Sequence, residues 1–114
     1  MSAVPIEPSP ELSARALIFA ALGDETRLAL VARLSGGTPL SISRLTEGSA
    51  LTRQAITKHL RVLESAGVVR SARAGRESQF EFRPDAFNEL RSYLDHVSAQ
   101  WDDALARLKS FVER

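Results

Sequence analysis

The chain has no cysteine in its 114 residues. Disulfides and thiolate metal sites are therefore excluded, and stability has to come from a packed core or from association with another chain. Long apolar runs are missing too. No stretch approaches the roughly 20 apolar residues of a membrane span, and the N-terminus lacks the pattern of a secretory leader, so a cytoplasmic protein without a membrane partner is expected. No serine, histidine and carboxylate fall into a nucleophilic pattern, and no carboxylate pair shares one predicted wall. Catalysis is not expected, nor is a cofactor, and Asp102-Asp103 reads as a solvated acidic pair. Gly36-Gly37-Thr38-Pro39 lacks the pattern of a phosphate-binding loop.

Net charge is small, at +1, and by itself implies no partner. Its distribution says more. Residues 52–84 carry seven basic and three acidic side chains, residues 1–51 four and five, and residues 85–114 four and six. The positive charge is thus concentrated in the middle third, where a polyanion would be met.

That third contains Thr52-Arg53-Gln54-Ala55-Ile56-Thr57-Lys58-His59-Leu60-Arg61-Val62-Leu63-Glu64-Ser65-Ala66-Gly67. At about 100° per residue, Ile56, Leu60 and Leu63 form one buried stripe, with Gln54, Thr57, Lys58 and Arg61 opposite. Thr52 is suited to cap the helix and Gly67 to end it in a left-handed conformation. The polar face offers an amide able to pair with adenine, a hydroxyl, and cations for guanine or phosphate. Any surface helix has a solvated face, but such faces mix both signs of charge. Here Glu64 is the only acid between Thr52 and Arg76. Thr52, Arg53, Gln54, Thr57, Lys58 and Arg61 form the candidate DNA-reading set. His59 borders the buried stripe and reads as a packing residue or a phosphate contact.

Around this helix the pattern predicts a mainly helical chain with one β-hairpin. Residues 1–8, with Pro5 and Pro8, read as a loose tail, and residues 9–114 as the domain. Ser9-Pro10-Glu11 starts a first helix that ends near Gly23. Asp24 caps a second through Leu34, expected to bury Leu28, Val31 and Leu34. Ser41 caps a short third over 42–47, with Ile42 and Leu45 inward. A turn at Gly48-Ser49-Ala50-Leu51 then joins it to the helix from Thr52, which makes a helix-turn-helix. Val68–Ala74 and Glu77–Phe82 read as strands around Gly75-Arg76, a wing with Arg73 and Arg76 at or near its tip, within reach of phosphates or a minor groove. Asp85 is suited to cap the final helix, expected over 86–112.

In that helix Phe87, Leu94, Trp101 and Leu108 recur every seven residues, and Leu90, Val97, Ala104 and Phe111 repeat the series three residues on. This a/d pattern spans about 40 Å, too long to bury against so small a domain, so a second chain is expected along Phe87, Leu90, Leu94, Val97, Trp101 and Leu108. Intramolecular packing on the first helix is the competing use, and both can hold together. Trp101 reads as seam core rather than the wall of a small-molecule pocket. A two-fold dimer would bring two reading helices to successive major grooves and would favour imperfect palindromes.

Leu22-Gly23-Asp24-Glu25-Thr26-Arg27-Leu28, and Ile56 through Val69, look like hallmarks of one family. Over about residues 11–112 the chain resembles the ArsR/SmtB-type winged helix-turn-helix repressors. The resemblance implies a homodimer paired through its first and last helices, bound to double-stranded operator DNA and released by an inducer, often a metal ion. The family's metal ligands do not carry over. Ser41 and Ser43 stand where a Cys-x-Cys on the third helix would be, and hydroxyls cannot replace thiolates for a soft metal. On the last helix Asp95 and His96 are adjacent and no later histidine follows, so His96 with Asp103 offers at most two ligands, and no metal site is expected. A sequence-specific DNA-binding repressor, a sensor whose metal or unknown small-molecule inducer releases the DNA, and a winged-helix module that binds protein are the three uses the sequence leaves open.

Overall fold

The structure, a computed structural model, describes residues 9–113. The elements run α1 (Pro10–Leu22), α2 (Glu25–Leu34), β1 (Leu40–Ser41), α3 (Ile42–Thr46), α4 (Arg53–Ser65), β2 (Val69–Ala74), β3 (Glu77–Phe82) and α5 (Pro84–Val112). The loose tail expected at residues 1–8 lies outside the described residues.

Capping side chains set the helix starts. Ser9, Asp24, Ser41 and Thr52 each accept a hydrogen bond from the backbone N–H three residues on, which satisfies a donor with no partner inside the helix. Gly67 lies just past α4 at φ +81°, a backbone that only glycine adopts cheaply. The α5 start departs from expectation. Arg83 is the N-cap residue and makes no side-chain cap bond, while Asp85, expected as the cap, lies inside the first turn beside Pro84. The fixed φ of Pro84 suits the first helical position and moves the start two residues earlier.

β2 and β3 form the expected antiparallel hairpin, and the two-residue β1 adds a third strand that was not foreseen. It pairs Leu40 with Phe80 and Ser41 with Gln79, placing β3 at the centre of the sheet. A strand of two residues has no periodicity to read. Its pairing is settled only when α3 packs beside the wing.

One core holds the element pairs together: Ile18 and Ala21 of α1, Leu30, Val31 and Leu34 of α2, Ile42 and Leu45 of α3, Ile56, Leu60 and Leu63 of α4, Val68, Val69 and Phe80 of the wing, and Ala86 and Leu90 of α5. The stripe read on α4 is buried as expected. On α2 one position changes, for Leu28 is 52% exposed and Leu30 is buried in its place. Leu30, Val31 and Leu34 lie within about 100° of arc, whereas Leu28 falls well outside it. α5 leaves the core after its second turn, and the described chain is 67 Å long and 29 by 23 Å across.

Candidate nucleic-acid interface

The reading face begins at the α3–α4 turn. Gly48, at φ +73°, lets the chain reverse between the two helices. Ser41 Oγ accepts from Arg44 N at 3.1 Å, and Ser43 Oγ accepts from Arg53 Nη1 at 2.8 Å. The two serines are thus a helix cap and an anchor for Arg53. Thr52 Oγ1 accepts from Ala55 N, and Thr57 Oγ1 donates to the Arg53 carbonyl at 2.8 Å. Gln54 and Lys58 stand exposed one turn apart. Thr52, Arg53, Gln54, Thr57 and Lys58 therefore lie together on the first two turns of α4, with three of them steadied by short-range bonds.

Arg61, one turn further along the same face, is exposed and also engaged within the chain. Its Nη1 donates to Glu64 Oε1 at 2.8 Å, and its guanidinium lies 5.8 Å from the Phe80 ring centre. Glu64 also accepts from the hydroxyl of Ser71 at 2.5 Å and from its amide at 3.2 Å. The Ser71 hydroxyl first, and Arg61 second, hold the Glu64 carboxyl below the ordinary carboxylate range. The one acid in the basic segment is thereby occupied in tying α4 to β2, and Arg61 is tied with it. Helical spacing allows the Arg61–Glu64 pair, three residues apart, but could not show the bonds from Ser71 to Glu64, which come from a strand.

The wing is closed by Gly75 and Arg76 between the paired Ala74 and Glu77. Gly75 has φ +65°, which suits the first central position of a two-residue hairpin turn. Arg73 and Arg76 are exposed as expected, whereas Arg70 is paired with Glu81 on the neighbouring strand. Two wing arginines are thus presented outward and a third stitches the hairpin.

One cluster was missed by sequence reasoning. Arg27 Nε donates to the Ala21 carbonyl at 2.6 Å, its Nη2 reaches the Ala20 carbonyl at 3.5 Å, and its Nη1 lies 3.2 Å from His59 Nδ1. Asp24 Oδ2 accepts from Arg27 N at 3.0 Å and is 3.7 Å from the same Nδ1. The Arg27 amide, ahead of the Arg27 charge, holds the Asp24 carboxyl below its ordinary value. Residues 22–28 had been singled out as a family hallmark, but nothing in their spacing tells that Arg27 reaches a histidine 32 positions away.

The six seam residues divide into two groups. Leu90 is buried in the chain's own core and Phe87 packs there against Phe82, with ring centres 4.8 Å apart. Both serve intramolecular packing. α1 also meets α5 within the chain, where Tyr93 lies between Phe19, centroid distance 6.2 Å, and Arg15, 5.1 Å from its ring. Further along, Val97 is half-buried, while Leu94, Trp101 and Leu108 are exposed together with Leu105, Phe111 and Val112. Leu12 and Leu17 of α1 add to the exposed apolar surface. His96 approaches the side-chain amide of Gln100 at 3.4 Å, and no group of three potential metal ligands converges among the described residues.

A helix-turn-helix with a basic first turn on its second helix, flanked by a two-arginine wing, defines a winged helix-turn-helix DNA-binding protein. The helix-turn-helix domain family profile matches residues 22–72. The HTH-type transcriptional regulator Rv2034 of Mycobacterium tuberculosis is 33% identical over 93 residues, which is 82% of this chain and 83% of that protein. An ArsR-like transcriptional regulator from Rhodococcus sp. RHA1 is 36% identical, with a TM-score of 0.77 over 87% of this chain and 92% of that one. The homodimeric winged helix-turn-helix DNA-binding domain Mb0332 from Mycobacterium bovis shares the fold at 19% identity, with a TM-score of 0.65 over 88% and 92% of the two chains. The chain belongs to the ArsR family of winged helix-turn-helix transcriptional regulators, and it is a DNA-binding transcriptional regulator.

Proposed function

We propose that the protein is a cytoplasmic repressor that binds an imperfect palindromic operator as a homodimer. The observation that carries this reading is the exposed set Arg53, Gln54 and Lys58 on α4 together with the exposed wing arginines Arg73 and Arg76, in a segment whose one acid between Thr52 and Arg76, Glu64, is already paired. In this reading the first two turns of α4 enter the major groove, Gln54 reads a base edge, and Thr52, Thr57, Arg53 and Lys58 contact bases or phosphates. Arg73 and Arg76 reach the backbone or the adjacent minor groove, while Arg61 holds the wing in place. The exposed apolar row on α5, continued by α1, supports pairing with a second copy, and Mb0332 is a homodimer of the same fold. A two-fold axis would place the two recognition helices about 34–36 Å apart, one DNA turn.

Ser41 and Ser43 are neutral hydroxyls committed to a cap and to Arg53, so they supply no ligand for a thiophilic metal. This favours a regulator set by its own abundance or by an organic inducer over a thiophilic-metal sensor.

The test is titration of the purified protein onto the DNA upstream of its own gene, beside a scrambled fragment of equal length at near-physiological salt. Nanomolar binding at least ~10³-fold tighter than to the scramble is expected. Equal, weak and salt-sensitive binding to this fragment and to every other genomic fragment tried would defeat the reading. Two substitutions separate the roles. Gln54→Ala should cost about 1–3 kcal/mol on the operator and loosen preference at one base pair, measured by binding to single-base operator variants. Arg76→Ala should weaken operator and scramble alike and lower the slope of log K against log salt by about one.

A further inference from the structure

The apolar stripe of α4 fixes how deep the helix sits, but contacts of that kind have no direction, so they leave its rotation and axial position loosely set. A directional bond from a distant element removes that freedom. Arg27 supplies one. Its guanidinium donates to the Ala21 carbonyl and reaches the Ala20 carbonyl, which also accepts from the cap Gly23 N–H, in the last turn of α1, and it turns its remaining arm to His59 in the middle of α4. A guanidinium only donates, so in this contact His59 Nδ1 is the accepting side. Asp24 holds Arg27 from the other side by accepting its backbone N–H as the cap of α2. The fork geometry of arginine allows these acceptors to be served at once, which an ammonium could not do with the same angles.

His59 also has a particular place on the helix. It directly follows Lys58 and lies on the flank of α4, only partly exposed, between the buried stripe and the reading face. The bond therefore runs from the end of α1 to the side of the element that meets DNA. α1 is one of the two helices assigned above to the dimer surface.

We infer that His59 is a positioning residue for operator recognition: held by Arg27 against the C-terminal end of α1, it fixes the placement of α4 relative to the dimer platform. This rests on the DNA-reading function proposed above. Specific binding needs both recognition helices in register with two half-sites, so it depends on this placement. Non-specific binding through phosphates tolerates small displacements and does not.

The experiment measures operator and scramble affinity, together with the melting temperature, for the full-length wild type, His59→Leu and His59→Gln. Leucine keeps an apolar volume and removes the acceptor, whereas glutamine restores an acceptor that Arg27 can reach. For His59→Leu the operator affinity should fall about tenfold, the size expected for losing a hydrogen bond to a charged group, with scramble affinity unchanged. His59→Gln should recover most of the loss. Arg27→Lys gives the same comparison if the leucine variant does not fold, and it too should lower the operator-to-scramble ratio. An unchanged ratio in His59→Leu and Arg27→Lys would overturn the inference while the wild type still discriminated its operator. A fall of both affinities in parallel with the melting temperature, without rescue by glutamine, would also overturn it, as the mark of a merely structural residue. A wild type that does not discriminate at all would defeat the DNA-reading proposal itself.

Discussion

Trp101→Asp is expected to convert the proposed dimer into a monomer and to remove most operator affinity. Trp101 is 65% exposed in the single chain, on an α5 face that also exposes Leu94, Leu105, Leu108 and Phe111. A buried tryptophan covers about 150–250 Å², which at roughly 25 cal/mol per Å² is an upper bound of about 4–6 kcal/mol for each copy. The substitution removes that area twice across a two-fold seam and leaves two carboxylates facing each other in an apolar setting, which adds a desolvation cost. The dimer dissociation constant should rise by at least ~10³-fold, since each 1.4 kcal/mol is a factor of ten. Two half-sites bound by separate monomers lose the advantage of a linked pair, so operator affinity should fall by a factor on the order of 10² or more. Sedimentation equilibrium over a concentration series checks the first effect, and titration of the operator checks the second. Because α5 has left the core well before Trp101, the variant should keep the helical content of the wild type. A variant that stayed dimeric and bound its operator normally would show that the α5 face is not the seam.

Phe80→Ala is expected to be the most damaging single change to the fold. Phe80 is fully buried on the central strand, paired with Leu40 of β1 on one side and Ser71 of β2 on the other. Removing a ring from such a site typically costs about 3–5 kcal/mol, from a total that for small domains is about 5–15 kcal/mol. The melting temperature should drop by about 15 °C or more, read by circular dichroism at one fixed protein concentration, because the proposed dimerisation would contribute to apparent stability. Phe80→Leu, which keeps most of the volume, should cost much less. The alanine variant also removes the ring on which Arg61 rests, so near the reading helix the wing should loosen before the hairpin itself opens. A melting temperature within a few degrees of the wild type would mean that the wing is not part of the cooperative unit.

Much of this molecule is legible because its elements obey short-range rules. Thr52 and Gly67 bracket α4 in the sequence as they do in space, and the Ile56, Leu60 and Leu63 stripe is a matter of helical period alone. Ser9, Asp24 and Ser41 cap their helices for the same reason, since the donor they satisfy is three residues away. The Gly75 turn needs a positive φ where only glycine adopts one cheaply. Within the reading surface, Gln54 and Lys58 could be placed on the exposed face from phase, and Arg73 and Arg76 on the wing from the hairpin pattern.

Less legible were details that depend on a partner far along the chain. Leu28 is apolar and near the expected stripe, but which leucines of α2 are buried depends on how the helix is rotated against α4 and the wing. Phe87 and Leu90 fit a heptad as well as Leu94 does, and only the packed core tells which part of that repeat the chain itself consumes. Arg61 has the phase of a DNA contact and helical spacing permits its pair with Glu64, but its approach to the Phe80 ring comes only from the packing of the wing.

The sequence alone therefore determined the kind and order of the helices, the wing and its turn, and the charge that marks the reading face, because propensity, capping and period act within a few residues. Tertiary structure alone decided that β1 joins the sheet, that Glu64 and Arg61 brace the wing, and that Arg27 ties the end of α1 to His59. Those bonds are set by where packed elements bring polar groups within about 3 Å, a distance that no local pattern encodes.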